Sequence, residues 1–242
     1  MKDKVAFVTG GDKGIGRATT RRLAIFCKTV IFTYNKNEEG AKVIASEFPN
    51  VFCYQCNLAD ISQCENLAEV IVQTYGRVDI LINNAGYDND STFLKMTRSQ
   101  WDSVIDINLR SMFCFTQVFG RLMVEYGWGR ILNLTSIAGY TGAFGKANYA
   151  AAKAGVVGFT KSLAIEWGAK GITVNAVAPG AIKTDMLLRI PEKYREVIMN
   201  NIPAGRFGEV EEVADLIEFL VSSKAAYING QTIHINGGSF LV

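Results

Sequence analysis

Val5-Ala6-Phe7-Val8-Thr9-Gly10-Gly11-Asp12-Lys13-Gly14-Ile15-Gly16 is an apolar run, a glycine-rich turn and the opening of a helical pattern, in that order. Strand, glycine turn and helix together make a phosphate-binding device. Glycine lets the backbone turn sharply and approach a pyrophosphate, while a helix N-terminus offers free amides and the positive end of a dipole. The spacing here is Gly-x3-Gly-x-Gly, over Gly10, Gly14 and Gly16, rather than Gly-x-Gly-x-x-Gly. Glycines alone would also suit an ordinary tight turn; their place after the first strand favours the phosphate reading.

The same alternation continues outward from this stretch. Further strand candidates are Thr29 to Thr33, Val51 to Gln55, Ile80 to Asn83, Ile131 to Thr135, Thr173 to Ala178 and Gln231 to Ile235. The intervals carry a period near 3.6, as in Ile15 to Phe26 and Asn148 to Glu166. Strands apolar on both faces and joined by helices predict a doubly wound α/β fold, Rossmann-type, with a mostly parallel seven-stranded sheet covered on each side. No repeat or Pro/Gly-rich linker divides residues 1–242, so a single domain is expected. Lys183 to Gly208, with Pro191 and Pro203, is weakly periodic and reads as a lid over a site.

Composition excludes several classes. The chain has 242 residues, of which 49% are hydrophobic and 20% charged; disorder and fibrous architectures are ruled out. The net charge of +2 is spread along the chain, so no nucleic-acid partner is expected. Apolar runs are strand-length, and Met1-Lys2-Asp3-Lys4 leads directly into a strand, so neither a membrane partner nor a signal peptide is expected, and the location expected is cytoplasmic. Five cysteines form no framework; Cys53-Tyr54-Gln55-Cys56 lies in a strand pattern and lacks a second ligand pair, so no metal site is expected. The single histidine, His234, alternates with Ile233 and Ile235 and reads as a sheet residue.

The motifs taken together resemble the short-chain dehydrogenase/reductases. The TGxxxGxG turn is Thr9 to Gly16, the NNAG segment is Asn83-Asn84-Ala85-Gly86, and the YxxxK pair is Tyr149 and Lys153. A serine stands at Ser136, a helix asparagine at Asn108, and Pro179-Gly180 is followed by Ile182 and Thr184. The resemblance covers the whole chain. It implies an NADPH-dependent (NADP+-dependent) reductase with Ser136, Tyr149, Lys153 and Asn108 as catalytic residues. It also implies cofactor contacts from Gly10, Lys13, Gly14, Ile15, Gly16, Lys36, Asn57, Leu58, Asn84, Ala85, Gly86, Tyr149, Lys153, Pro179, Gly180, Ile182 and Thr184.

Residue chemistry supports these roles. Tyr149 and Lys153 are four apart in a helical stretch and share a face. A phenol is a poor acid at neutral pH, and a nearby ammonium is expected to bring its pKa down toward the working range. Tyr149 would protonate a carbonyl oxygen in the reduction direction, with Ser136 donating to the same atom as charge develops. The resemblance adds that Lys153 holds the nicotinamide ribose and that Asn108 anchors a water relaying protons to Lys153.

The end of the second strand reads Thr33-Tyr34-Asn35-Lys36, without the acid that would favour an adenosine 2'-hydroxyl. Lys36 there and Lys13 in the turn predict NADPH, unless both are plain solvated lysines. Asn57 stands where relatives commonly have aspartate; it is read as an adenine contact or a strand-end turn.

Within the family the chain looks most like the 3-oxoacyl-thioester reductases. The closer match is carried by Thr92-Phe93-Leu94-Lys95-Met96-Thr97 with Trp101, by Gly127-Trp128-Gly129-Arg130-Ile131, and by Ile202-Pro203-Ala204-Gly205-Arg206-Phe207-Gly208. Gly127-Trp128, where carrier-protein enzymes often have a basic residue, shifts the expected substrate toward acetoacetyl-CoA and the product toward (R)-3-hydroxybutyryl-CoA. The alternative is an acyl-carrier-protein thioester, as in fatty acid synthesis, and a remoter one a non-catalytic NADP(H) sensor. Substrate contacts are assigned to Gly180, to Phe144 as an acyl-chain flank or core residue, and to Lys146 as a CoA phosphate contact or surface lysine. The resemblance further implies a homotetramer, through Ser99 to Tyr126 and Asn148 to Gly168.

Overall fold

The computed structural model describes residues 1–241. Its elements are β1 (Val5–Val8), α1 (Gly14–Phe26), β2 (Thr29–Tyr34), α2 (Glu38–Ser46), β3 (Val51–Gln55), α3 (Ile61–Tyr75), β4 (Ile80–Asn83), α4 (Arg98–Ile105), α5 (Ser111–Tyr126), β5 (Gly129–Leu134), α6 (Ala138–Thr141), α7 (Ala147–Trp167), β6 (Ile172–Pro179), α8 (Asp185–Leu188), α9 (Glu192–Asn200), α10 (Val210–Val221) and β7 (Thr232–Ile235). The strands form one sheet in the order 3-2-1-4-5-6-7, and every pairing is parallel. The expected "mostly parallel" sheet is therefore wholly so.

The sequence pattern explains the sheet. β1, β4, β5 and β6 are buried along their whole length, because helices cover both faces. Alternate residues divide between two cores. Ala6, Val8, Val30, Phe32, Ile80 and Ile82 pack under α1, α2 and α10. Phe7, Ile31, Leu81 and Ile131 pack under α3, α5 and α7. In the second core the Phe7 ring lies 5.0 Å from those of both Phe115 and Phe119.

Local chemistry sets the helix limits. The Asp60 carboxylate accepts from the Gln63 amide at 3.2 Å to start α3, and Thr97 with Gln100 forms a reciprocal cap on α4. The helical stretch expected from Ser99 to Tyr126 is interrupted. A π-turn at Asp106–Arg110 separates α4 from α5. Asn108 Nδ2 donates to the Val104 carbonyl one turn back at 2.9 Å and to the Tyr87 carbonyl at 2.7 Å, so its side chain competes for backbone groups and widens the turn.

Strand order reverses between β1 and β4, which opens a crevice at their carboxyl ends. Two ties hold this opening. Thr9 Oγ1 accepts from the Asn84 and Ala85 amides, each at 3.0 Å, and Asn84 Nδ2 donates to the Thr9 and Gly10 carbonyls. Beneath it, Asn83 Nδ2 donates to Asn133 Oδ1 at 2.9 Å and Asn133 Nδ2 to Thr160 Oγ1 at 2.9 Å. These buried side-chain hydrogen bonds tie β4, β5 and α7 together, although Asn83 Oδ1 itself has no partner.

Candidate active site

A cleft of about 1350 Å³ runs along the carboxyl edge of the sheet. Its floor at the β1 end is the glycine turn. Gly10 and Gly14 have positive φ, 64° and 51°, a region open to glycine at little cost. A Cβ on Gly16 would lie 2.0 Å from the Gly10 carbonyl oxygen and 2.5 Å from Asn84 Nδ2, so the turn closes only around glycine. Lys13 occupies the N-cap of α1 without a side-chain cap. The first amides of α1 thus meet the cleft with no side chain turned back on them, which fits a pyrophosphate.

Lys13 and Lys36 are exposed and line this end, as does Arg17, one helical turn from Lys13. Arg17 was missed in the sequence reading, although its i+4 spacing from Lys13 could have signalled it. Gly10, Gly14, Ile15, Gly16, Leu58, Asn84, Ala85, Gly86, Pro179, Gly180, Ile182 and Thr184 all line the cleft. Asn57 does not. Its Oδ1 accepts from the Ala59 amide at 3.2 Å and its amide donates to Gln63 Oε1, so it is the strand-end turn residue before α3. Cys56 lies in the cleft wall instead. All five cysteines are free thiols, and the described residues contain no group of three or more metal-ligating side chains.

At the β5 end, Ser136, Tyr149 and Lys153 line the same cleft. Lys153 is buried, and its Nζ donates to the Leu134 carbonyl at 2.7 Å. That Nζ stands 5.6 Å from the Tyr149 ring centroid. The expected lowering of the phenol pKa by this lysine is not what the geometry gives. Burial pushes the Tyr149 phenol up to about 12; a hydrogen bond with Ser136 opposes this, and the charges of Asp88 and Asp90 add to it. Burial likewise pulls Lys153 down to about 8. Both shifts favour neutral forms, the ordinary response to desolvation. A protonated phenol is the form that donates to a carbonyl oxygen.

Asn108 is fully buried and stands behind the cleft wall. A Cβ on Gly86 would sit 3.4 Å from Asn108 Oδ1 and 3.8 Å from Lys153 Nζ, so all three residues converge.

The substrate assignments fare differently. Gly180 and Lys146 line the cleft, whereas Phe144 is 92% exposed and lies neither in the cleft lining nor in the core. Lys146 is not a free cation: its Nζ meets Asp88 Oδ2 at 3.1 Å and Asp90 Oδ2 at 2.6 Å. Trp128 precedes β5, at the end of the sheet opposite Ser136. It lies between two cations, Lys4 Nζ at 4.2 Å and the Arg130 guanidinium at 4.6 Å from its rings. His234 packs edge-on against Tyr140, ring centroids 4.7 Å apart.

Residues 10–239 match the family model described as enoyl-(acyl carrier protein) reductase. The chain is 43% identical to the 3-oxoacyl-[acyl-carrier-protein] reductase of Escherichia coli (strain K12), covering 100% of this chain and 99% of that one. It is 42% identical to the protein of the same name from Aquifex aeolicus, over 99% and 98% of the two chains. The Staphylococcus aureus protein of that name is 40% identical, over 98% of each. With the glycine turn, the crevice and the Ser136–Tyr149–Lys153 set joined in one cleft, these likenesses establish that the chain belongs to the short-chain dehydrogenase/reductase family and is an oxidoreductase of the nicotinamide-dependent kind.

Proposed function

We propose that the protein reduces a 3-oxoacyl thioester carried on acyl carrier protein to the 3-hydroxyacyl thioester, using NADPH. The observation that carries this reading is the meeting of Ser136, Tyr149 and Lys153 at the end of the cleft away from the glycine turn, in a chain more than 40% identical to carrier-protein reductases over its full length. The carrier-protein alternative now has more support than acetoacetyl-CoA. The residue that favoured CoA, Trp128, lies at the opposite end of the sheet, clasped by Lys4 and Arg130.

The bound nicotinamide would supply hydride to the carbonyl carbon. Tyr149 gives its proton to the oxygen, and the Ser136 hydroxyl donates a second hydrogen bond there as negative charge grows. Lys153 would hold the cofactor ribose, and Asn108, buried on the Lys153 side of Gly86, would anchor a proton-relaying water. Preference for the 2'-phosphate comes from Lys13, Lys36 and Arg17, with no acid at Thr33–Lys36 to repel it. The 183–208 segment acts as a lid over the substrate. Both its ends are pinned by the hydrogen bonds Lys183 N to Gly208 O at 2.9 Å and Gly208 N to Ala181 O at 3.0 Å, while Leu187, Ile190 and Ile198 face the cleft. Exposed apolar side chains such as Phe113 on α5 and Ile165 on α7 suit assembly into a homotetramer, working in the cytoplasm. A stable active monomer in sedimentation would refute the assembly.

The test follows NADPH consumption by the purified protein with acetoacetyl-acyl carrier protein, acetoacetyl-CoA and crotonyl-CoA. Higher kcat/KM for the carrier protein is expected. A clear preference for CoA would restore the earlier substrate expectation, and turnover of crotonyl-CoA alone would make the enzyme an enoyl reductase.

A further inference from the structure

The loop Tyr87-Asp88-Asn89-Asp90 leaves β4 and runs along the mouth of the cleft, carrying charges that the catalytic set does not use. The Asp88 side chain is mostly buried, and its two oxygens engage cations from opposite sides. Oδ2 meets Lys146 Nζ at 3.1 Å, and Oδ1 meets Arg189 Nη2 at 3.2 Å. Lys146 is the N-cap of α7, three residues before Tyr149, and its Nζ lies 5.6 Å from the Tyr149 ring centroid, as far as that of Lys153. Arg189 closes α8, within the 183–208 segment. One carboxylate therefore joins the catalytic helix to the wall of the cleft.

The loop does not need this carboxylate to keep its place. The Ser91 amide donates to the Gly145 carbonyl at 2.9 Å, and Asn148 Nδ2 donates to the Asn89 carbonyl at 3.1 Å. The ion pairs are additional: the one to Lys146 is partly shielded from water and so stronger than an exposed pair, while the one to Arg189 has an exposed guanidinium and contributes less.

We propose that Asp88 is a positioning residue of the reductase: together with Asp90, which meets the same Nζ at 2.6 Å, it holds Lys146 beside the ring of Tyr149, and it fastens the 183–208 segment to the catalytic helix through Arg189. The proposal deepens the reductase reading and rests on it. Its electrical consequence has a sign. The groups facing Tyr149 are Ser136 beyond β5, Lys146 and Lys153 on α7, and Asp88 and Asp90 on the β4 loop, with Arg189 behind Asp88. The two carboxylates disfavour the phenolate and Lys146 offsets them. Neutralising Asp88 makes the phenolate easier to form, and neutralising Lys146 makes it harder.

The experiment compares Asp88→Asn, Lys146→Gln and Arg189→Gln with the wild type. In the oxidation direction, with NADP+ and a 3-hydroxybutyryl thioester, Tyr149 acts as base and activity rises with pH. Asp88→Asn moves the midpoint of that rise to lower pH and Lys146→Gln moves it to higher pH, each by about half a unit or more. Asp88→Asn and Arg189→Gln each raise KM about 3- to 10-fold with a smaller change in kcat, and the double variant is no worse than either single one. Asp88→Glu restores both readouts. Shifts in one direction, or none, overturn the proposal, as does full additivity in KM. A substrate-free arm keeps the two readings apart: trypsin cleaves after Lys193 and Arg195 faster in Asp88→Asn than in the wild type, and equal rates overturn the fastening. If wild-type enzyme turns over no thioester, the functional reading fails and the trypsin arm alone decides this one. Were Asp88→Asn not to fold, Lys146→Gln and Arg189→Gln carry the same pH and KM comparisons.

Discussion

In the proposed mechanism Tyr149 and Lys153 divide the chemistry between a donor and a support, and their substitution should separate the two. Tyr149→Phe removes the proton donor and leaves the ring, so turnover should fall by at least about 100-fold, the range of general acid catalysis. NADPH affinity, read by fluorescence titration, should stay within a few-fold, and retained turnover would remove Tyr149 as the acid. Lys153 makes a different prediction, about stability. Its pKa falls to about 8 on burial, below the ordinary lysine value of about 10.4. Below pH 8 the folded, cofactor-free protein therefore holds a charged ammonium that the unfolded chain holds more cheaply. Between the two values only the unfolded chain keeps the proton, so this group's cost disappears as pH rises. Lys153→Met should abolish turnover yet raise the thermal midpoint at pH 7. The relief is about 3 kcal/mol from the shift, less about 1 kcal/mol for the lost bond to the Leu134 carbonyl, or several degrees for a chain of this size. Above pH 10 the gain should vanish; a loss of stability at pH 7 would show that the bond outweighs the buried charge.

At the scale of elements, the strands and their connections were legible because parallel strands buried on both faces leave continuous apolar runs. Val51–Gln55 and Ile80–Asn83 have the predicted limits, and the others shift by one or two residues. The break between α4 and α5 was not legible: the helical period runs through Asp106–Arg110, and only the hydrogen bonds of Asn108 to the Tyr87 and Val104 carbonyls open the turn. Asn57 stayed open between an adenine contact and a strand-end turn for the same reason, since the partners that make it a turn residue are neighbours whose geometry the sequence does not display. The glycine turn is the element where one atom matters most. Gly16→Ala would put a methyl 2.0 Å from the Gly10 carbonyl oxygen and 2.5 Å from Asn84 Nδ2, both parts of the tie between β1 and β4. Either the turn shifts or the tie breaks. KM for NADPH should rise about tenfold or more and the thermal midpoint should drop, since overpacking costs about 1–3 kcal/mol. Unchanged KM would mean that the turn does not hold the cofactor.

Across the whole molecule, the residues proposed to bind and react come from widely separated stretches that one rule of topology joins: everything following a strand's carboxyl end falls on the same edge. That is why segments of the glycine turn, Asn84–Gly86, Ser136 and the stretch after Pro179, which the family resemblance assigns to one site, line a single cleft. Ion pairs across that edge, such as Lys146 with Asp88, obey no such rule, so Lys146, read as either a phosphate contact or a surface lysine, proves to be engaged by carboxylates. Charge at the other end of the cleft makes the remaining prediction. Lys13, Arg17 and Lys36 line the region beside β2, and none has a carboxylate within ion-pair distance among the described residues. A ligand that binds only the folded state stabilises it by RT ln(1 + [L]/Kd), about 2.7 kcal/mol at one hundred times Kd. NADPH should therefore raise the thermal midpoint by several degrees at concentrations where NADH raises it little. Lys13→Ala with Arg17→Ala should bring the two cofactors together by weakening NADPH and leaving NADH unchanged. High salt should narrow the gap in the wild type as well, because exposed cations are screened. If the double variant keeps the wild-type gap, discrimination lies in Thr33–Lys36, where Lys36→Ala is the variant that removes the remaining cation.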